Sequence, residues 1–326
     1  MKVAVTGGAG FIGANLCRAL AARPEIDRVV AYDNLSTGDA ANLDGSVAEL
    51  VVGDILDRAL LRDVLDSADA VVHLAARPSV PRSLADPVAS HDANATGTVN
   101  VLEACRHAGA HLVAASSSSV YGATPELPKH EDLPTRPLSP YAASKLAAES
   151  YALAYGSSFG LPALVLRFFN VYGPLQSTGH AYAAAIPAFV HAALSGKPLA
   201  VHGDGRQTRD FTFVGSVVDV LTQAVLGRVT AGTPVNLAFG ESVSIRQVIE
   251  IIGEVLGRDL EVCYGPSRTG DVRHSHGAND RLLALFPGLA PIRLADGLRQ
   301  TIDWFATTGA YPVSTGRPAG ARSATV

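Results

Sequence analysis

Short apolar runs alternate with amphipathic segments along the first half of the chain. The apolar runs lie at residues 2–6, 28–32, 49–53, 69–75, 111–116 and 163–168. Between them, apolar residues recur with the helical period at residues 11–22, 58–66, 87–108 and 139–158. Strands that are apolar throughout are typical of a parallel sheet with both faces covered. The pattern predicts an α/β fold built on a doubly wound parallel sheet.

The rhythm changes after residue 169. Further strands are predicted at 208–214, 235–239 and 261–265, and helices at 182–195, 244–256, 279–286 and 294–307. We predict a sheet domain of residues 1–169 plus about 214–240, and a smaller C-terminal α/β lobe of about 170–213 plus 241–307. Residues 308–326 are mostly small and polar, and we predict a disordered tail there.

Composition excludes several classes of function. The chain has 326 residues, 48% of them hydrophobic, and a net charge of −4 with scattered basic residues, so we expect no nucleic-acid partner. Cys17, Cys105 and Cys263 show no metal-site or disulfide spacing, and we predict no metal. A strand predicted from Lys2 leaves no room for a signal peptide, and no apolar run spans a bilayer. We expect a cytoplasmic protein without a membrane partner.

A glycine-rich segment, TGGAGFIGANL at 6–16, follows the first predicted strand and opens the first helix. Gly7 suits the tight turn, Gly10 lets the backbone approach a pyrophosphate, and Gly13 lets the helix pack on the sheet. Asp33 ends the second strand, where a carboxylate accepts hydrogen bonds from the adenosine ribose. Because the same carboxylate would repel a 2′-phosphate, the segment predicts NAD as the cofactor of a Rossmann-type domain.

The next acidic residue is open to two interpretations. Asp54 follows the third predicted strand in VGDILD. It could contact the adenine of the cofactor, or it could cap the N-terminus of the next helix.

Tyr141 and Lys145 lie four residues apart in SPYAASKLAAES, downstream of the serine cluster in ASSSSVYG at 115–122. One turn of helix places both side chains on the same face. A neighbouring cation stabilises a phenolate, so the pair can act as a base near neutral pH.

These segments together resemble the extended short-chain dehydrogenase/reductase superfamily, and within it the NAD-dependent nucleotide-sugar epimerase/dehydratase family. Further matching motifs are HLAA at 73–76, RFFNVYGP at 167–174, GDGRQTRDF at 203–211 and RTGDVRHS at 268–275, and the resemblance covers about residues 1–307. It implies that Tyr141 is the catalytic base, that Lys145 binds the nicotinamide ribose and lowers the phenol pKa, and that Ser117 hydrogen-bonds the reacting hydroxyl.

The resemblance also implies which residues contact each ligand, with NAD in the sheet domain and the nucleotide sugar in the smaller lobe. The expected NAD contacts are Gly7, Gly10, Phe11, Ile12, Gly13, Asp33, Asn34, Ser36, Thr37, Gly38, Asp54, Ile55, Leu74, Ala75, Ala76, Asn94, Ser116, Tyr141, Lys145 and Phe168. The expected substrate contacts are Ser79, Ser117, Ser118, Ser119, Tyr141, Asn170, Leu199, Val201, Arg209, Arg268, Asp271 and Ser275.

The serine cluster distinguishes between reactions of this family. Its sugar dehydratases carry a Thr-Asp-Glu run before V-Y-G, where this chain has Ser117, Ser118 and Ser119. Elimination of water needs a general acid and a base that hydroxyls do not provide. The cluster therefore favours reversible oxidation and reduction at one carbon, in a 4-epimerase that returns the C4 hydride to the opposite face of a keto sugar.

Other positions bear on the nucleotide sugar. Arg209 and Arg268 resemble diphosphate-binding arginines, since a guanidinium matches phosphate oxygens, and Leu199 and Val201 resemble uracil contacts of UDP-sugar epimerases. Ser275 aligns with a position that is small where the N-acetyl group is admitted. We expect UDP-GlcNAc/UDP-GalNAc interconversion, with UDP-glucose/UDP-galactose as a candidate second activity.

Several alternatives stay open. UDP-glucuronate 4-epimerases usually carry an arginine where this chain has Ser177, so an uncharged C6 is favoured, but a uronate or a modified UDP-sugar remains an alternative. A catalytically silent NAD-binding regulator is another, although it would not need Tyr141, Lys145 and Ser117 together. By analogy with the family, helices 87–108 and 139–158 are expected to form a homodimer.

Overall fold

The computed structural model describes residues 1–177, 184–266 and 273–308. Its strands are β1 (Lys2–Thr6), β2 (Arg28–Asp33), β3 (Glu49–Val52), β4 (Ala70–His73), β5 (His111–Ser117), β6 (Ala163–Phe168), β7 (Asn170–Tyr172), β8 (Leu199–His202), β9 (Thr208–Arg209), β10 (Phe211–Phe213), β11 (Val235–Leu237), β12 (Val243–Ser244), β13 (Val262–Gly265) and β14 (His274–Ser275).

The α-helices lie between these strands for most of the chain. They are α1 (Phe11–Ala21), α2 (Arg58–Leu65), α3 (Val80–Ala85), α4 (Pro87–His91), α5 (Gly97–Ala108), α6 (Pro140–Phe159), α7 (Ala185–Leu194), α8 (Val214–Leu226), α9 (Ile245–Leu256), α10 (Asp280–Leu285) and α11 (Leu294–Thr308). Among the described residues, no helix has both the length and the apolar character needed to cross a membrane.

The main sheet is parallel, and the predicted α/β fold is confirmed. Its strand order is β11-β6-β5-β4-β1-β2-β3. Successive side chains of a strand point to opposite faces, and each face has its own core. Val3 and Val5 of β1 pack in one buried cluster with residues of α1 and α8, whereas Ala4 packs in a second cluster with residues of α2 and α5. Because both faces of the sheet are covered, a ligand can reach the side chains of its strands only along the edges of the sheet.

The long helix α6 has clear start and stop signals. The side chain of Ser139 accepts a hydrogen bond from the backbone N–H of Ala142 at 3.1 Å, and Pro140 occupies the first turn, where its missing N–H costs nothing. At the other end Gly160 adopts a left-handed conformation with φ of 69°. These signals fix where α6 begins, and hence where Tyr141 and Lys145 lie against β5.

The smaller lobe is built from short strand pairs. β8 pairs with β13, β7 pairs with β10, and β9 lies between β12 and β14. β11 returns to the main sheet beside β6. The domain boundaries themselves stay a prediction.

Two sequence expectations need correction. The helix predicted over 87–108 is interrupted, because residues 92–96 form a wider π-helical turn between α4 and α5. Such turns insert a residue and redirect the side chains beside it, here Asn94. Asp54 caps no helix, since the side chain of Asp57 receives the N–H groups at the start of α2. Of the predicted tail, Thr308 ends α11 and 309–326 lie outside the described residues.

We predict that Gly122→Ala is strongly destabilising. Gly122 has φ of 47°, and a Cβ there would lie 1.8 Å from the carbonyl oxygen of Arg136. Gly160→Ala is the matched control, because its φ is 69° but nothing lies within 4 Å of the new Cβ. The control should lose about 1 kcal/mol of unfolding free energy, the cost of a left-handed alanine. Urea unfolding should show a clearly larger loss for G122A, and equal losses would contradict the steric argument.

Candidate active site

The candidate residues gather at the carboxyl-terminal edge of the parallel sheet. Asp33 ends β2, His73 ends β4 and Ser117 ends β5, and parallel strands place all of these ends at the same edge. Ligands of open α/β sheets bind in the crevice along this edge. The glycine loop, Asp33 and the serine cluster therefore lie along one crevice.

The glycine loop leaves the start of α1 open. Gly10, the N-cap, supplies no side-chain cap, and no acidic residue lies in the first turn. The free N–H groups of such a turn bind phosphate. A Cβ on Gly7 would lie 2.7 Å from the backbone nitrogen of Ala75, and one on Gly13 would lie 2.0 Å from the carbonyl oxygen of Gly7, so both close approaches require glycine.

Asp33 is held by the loop that follows it. Its Oδ2 accepts the N–H of Ala9 at 3.0 Å and its Oδ1 accepts the N–H of Leu35 at 2.8 Å. A carboxylate has about four acceptor sites, so further sites remain for ribose hydroxyls. Asn34 Nδ2 donates a hydrogen bond to Asp54 Oδ2 at 2.8 Å, which keeps Asp54 beside Asp33. The residues present therefore fit an adenosine diphosphate bound along the glycine loop.

Ser117 and Tyr141 meet in front of β5. The Ser117 hydroxyl accepts a hydrogen bond from the Ser119 hydroxyl at 2.9 Å, and the Tyr141 phenol lies next to it. Burial raises the pKa of Tyr141, and the neighbouring Ser117 hydroxyl opposes that rise. The expected lowering of the phenol pKa by Lys145 stays a prediction.

Lys145 is buried one helical turn after Tyr141. Its Nζ donates to the carbonyl oxygen of Ala115 at 2.6 Å, so the ammonium lies against the end of β5. Burial lowers the pKa of Lys145 to about 8, and the charge of Glu149 opposes that shift.

Asn94 connects three elements behind this pair. Its Nδ2 donates to Ser144 Oγ at 2.9 Å and to the carbonyl oxygen of Arg77 at 3.2 Å, and its Oδ1 accepts the N–H of Arg77 at 2.7 Å. The amide thus fastens the loop after Ala76 to α6. Asn94 is only 1% exposed, and its contacts within the chain are those of a positioning residue.

Two other expected NAD contacts point away from the crevice. Ser116 donates its hydroxyl to Glu149 Oε2 at 2.6 Å, and the side chain of Phe168 lies in the main hydrophobic core. His73, between Thr6 and Thr98, is fully buried, which lowers its pKa to about 3. It is therefore a neutral packing residue at physiological pH.

The substrate candidates of the smaller lobe fall into two groups. Arg209 and Ser275 are direct partners in the β9–β14 pair, although 66 positions separate them in the chain. Asn170 is fixed beside them, since its Nδ2 donates to the carbonyl oxygen of Asp210 at 3.2 Å. The side chains of Leu199 and Val201 lie in the core. Arg268 and Asp271 lie outside the described residues.

The sequence interpretation missed Asp210, which organises this end of the lobe. Its carboxylate is fully buried and accepts N–H groups of Phe239, Gly240 and Gly277, at 3.4, 3.0 and 3.3 Å. The segment after Ser275 is thereby tied to the end of β9. A charged residue inside the apolar run TRDFTFV was the signal that could have identified it.

Comparison with known proteins agrees with this geometry. Residues 3–238 match the model of the NAD dependent epimerase/dehydratase family. The chain belongs to that family. The predicted resemblance and the NAD cofactor are confirmed, and the enzyme class is confirmed at the level of this family.

Three relatives illustrate the similarity. A UDP-glucose 4-epimerase of Mycolicibacterium smegmatis is 37% identical, over 94% of this chain and 98% of its own. The structure of a UDP-N-acetylglucosamine 4-epimerase from Methanobrevibacter ruminantium M1, solved with UDP-N-acetylmuramic acid, matches with a TM-score of 0.88 and 35% identity over 94% and 98% of the chains. A UDP-glucuronic acid 4-epimerase from Bacillus cereus, solved with UDP-glucuronic acid and NAD, gives 0.85 and 32% over 94% and 99%.

We predict a pH-dependent contribution from Asp210. Burial raises the pKa of its carboxyl from 3.8 to about 6 in the folded protein. The stability gained from the protonated group is complete below the unfolded pKa and is lost as the pH rises through about 6. The unfolding free energy of the wild type minus that of Asp210→Asn should therefore fall between about pH 4 and 6 and stay constant above.

Asp204→Asn is the control of opposite sign. The N–H of Arg206 lowers the pKa of the exposed Asp204 carboxyl, so this wild-type contribution is lost as the pH falls. Because the Asp204 contribution is lost below the ordinary carboxyl pKa of 3.8, urea unfolding is followed from about pH 3 to 8, which covers both differences. A wild-type minus D210N difference that stays flat or rises with pH would contradict the account.

Proposed function

We propose that this protein is an NAD-dependent 4-epimerase of a UDP-hexose, with UDP-GlcNAc and UDP-GalNAc as its principal pair and UDP-glucose and UDP-galactose as a second pair. The observation that carries the proposal is the placement of the Tyr141 phenol next to Ser117, in a cluster made only of hydroxyls. A phenol beside a serine hydroxyl can take a proton from a sugar hydroxyl and give it back.

Each residue of the site has one role in this reaction. Ser117 holds the C4 hydroxyl against Tyr141, the phenolate of Tyr141 removes its proton, and the Lys145 ammonium stabilises that phenolate. Bound NAD would accept the hydride from C4 of the sugar, and its nicotinamide ring would carry a positive charge into the site. The keto sugar turns over, its C4 would regain the hydride on the opposite face, and Tyr141 returns the proton, so net redox change and net proton release are both zero.

The smaller lobe would hold the nucleotide while the sugar turns. Arg209 is proposed to bind the diphosphate together with Arg268, because guanidinium groups pair with phosphate oxygens in two-pronged fashion. Arg209 lies opposite Ser275 in the β9–β14 pair, so the residue proposed to bind the diphosphate neighbours the residue proposed to limit sugar size. Asn170 is the proposed neighbouring contact.

We also propose a homodimer. Exposed apolar side chains lie on helices that pack together, with Leu84 of α3, Val88 of α4 and Tyr151 of α6 exposed by 66%, 67% and 48%. Apolar surface of this kind supports association through α3, α4 and α6. A cytoplasmic location stays a prediction.

Substitution of Ser275 tests the choice of sugar. Ser275→Tyr adds a ring where the N-acetyl group is proposed to lie, so kcat/KM for UDP-GlcNAc should fall at least about tenfold more than that for UDP-glucose. Ser275→Ala, the control, keeps the position small and should retain the wild-type ratio. Equal losses on both substrates in the tyrosine variant would remove Ser275 as the determinant.

Incubation of the purified protein without added reductant tests the reaction itself. UDP-GlcNAc, UDP-glucose and UDP-glucuronate are supplied separately and the products identified by NMR. We expect C4 epimers at unchanged NADH absorbance, most rapidly from UDP-GlcNAc, and at least about 100-fold slower turnover by Tyr141→Phe, which lacks the base. A 4-keto-6-deoxy product would exclude the epimerase, and so would stoichiometric consumption of NADH in a parallel incubation to which NADH is added. Fastest turnover of UDP-glucuronate would contradict the choice of an uncharged C6.

A further inference from the structure

A buried ion pair lies behind Lys145. Glu149 follows Lys145 by one helical turn on the buried face of α6, and Arg167 comes from β6. The pair is bidentate, with Arg167 Nη2 2.6 Å from Glu149 Oε1 and Nε 3.0 Å from Oε2, and the two side chains are 4% and 3% exposed. The Ser116 hydroxyl adds a third donor at 2.6 Å. Both oxygens of Glu149 therefore accept hydrogen bonds.

Stability alone gives little reason to keep such a pair. Desolvation of two charges costs several kcal/mol per ion, and apolar residues of similar volume often stabilise a protein as well or better. The surroundings are specific, since the Arg167 guanidinium also stacks on the Tyr121 ring at 4.7 Å. The buried carboxylate of Glu149, fixed by these contacts, therefore affects the pKa of ionisable groups near it.

Lys145 is the cation beside it. The charged and titratable groups that face Lys145 are Tyr141 and Glu149 on α6 and His73 on β4, and Arg167 is paired with Glu149. His73 is neutral and Tyr141 is a phenol with a raised pKa, so Glu149 supplies the negative charge of this group. Burial pulls the pKa of Lys145 down to about 8, and Glu149 counteracts part of that shift.

We propose that Glu149 is a positioning residue whose buried carboxylate keeps Lys145 in its ammonium form at working pH, with Arg167 and Ser116 holding the carboxylate in place. The proposal rests on the proposed function for the purpose of the ammonium, which is to stabilise the Tyr141 phenolate. Its electrostatic part depends on the folded chain alone.

The lysine content of the chain allows a direct measurement. There are four lysines, Lys2, Lys129, Lys145 and Lys197, so protein labelled with ¹³Cε-lysine gives few resonances. The Lys145 resonance is identified by its loss in Lys145→Met. Titration of the full-length protein then reports the proton affinity of Lys145 without any substrate.

Three variants separate charge from packing. Glu149→Gln removes the anion and keeps the size, so the pKa of Lys145 should fall by about one unit or more, a tenfold loss of proton affinity. Glu149→Asp keeps the charge one methylene away and should restore most of that pKa. Glu103→Gln is the matched control, because Glu103 of α5 also contacts α6, accepting the Tyr155 hydroxyl at 2.7 Å, but lies far along the helix from Lys145. It should leave the Lys145 titration unchanged.

Glu149→Gln leaves Arg167 as an unpaired buried cation and so risks misfolding. Glu149→Gln with Arg167→Met removes both charges, which buried pairs commonly tolerate. It should still lower the pKa of Lys145, but by less than Glu149→Gln alone, because the neighbouring Arg167 cation is removed as well. An unchanged Lys145 titration in the folded variants, or equal shifts in the Gln and Asp variants, would overturn the proposal.

The pH dependence of kcat provides a separate test. In Glu149→Gln the alkaline loss of kcat should move to lower pH by the shift that the titration measures, whereas a merely structural defect would lower kcat at every pH. If neither the variant nor the wild type turns over UDP-sugars, the proposed function fails, but the titration still decides the role of Glu149.

Discussion

Parallel strands must all end at the same edge of a sheet, and the chemistry of this protein depends on that constraint. Both faces of the sheet are buried, so polar side chains reach a ligand only at the carboxyl ends of the strands. Asp33, His73 and Ser117 arrive there from β2, β4 and β5. Because α6 packs against β5, Tyr141 is brought to Ser117, and residues from distant parts of the sequence form one site.

Buried polar contacts then join the two parts of the molecule. The Tyr121 hydroxyl donates to Asn236 Oδ1 at 2.6 Å, and Asn236 Nδ2 donates to the carbonyl oxygens of Lys129 and Ala278, at 2.7 and 3.1 Å. Asp210 fixes the same segment from the other side by accepting the N–H of Gly277. These contacts lie within a few residues of Ser275, so the proposed sugar site is built on a rigid support.

The sequence was informative where periodicity and local motifs act alone. Continuous apolar strands predicted the parallel sheet, and the glycine loop with Asp33 predicted NAD. The sequence did not predict the features that depend on tertiary contacts. The π-helical turn at Asn94 and the Arg209–Ser275 pairing depend on packing between distant segments. The sequence places Glu149 one helical turn after Lys145, but only the fold shows that its carboxylate pairs with Arg167 of β6.

In the proposed reaction one hydride leaves C4 of the sugar and returns to the same carbon. The decisive experiment is to incubate UDP-GlcNAc carrying deuterium at C4 with the purified protein in ordinary water. We expect UDP-GalNAc that retains deuterium at C4, since the hydride never exchanges with solvent. Epimerised product with complete loss of the isotope to water would rule this reaction out.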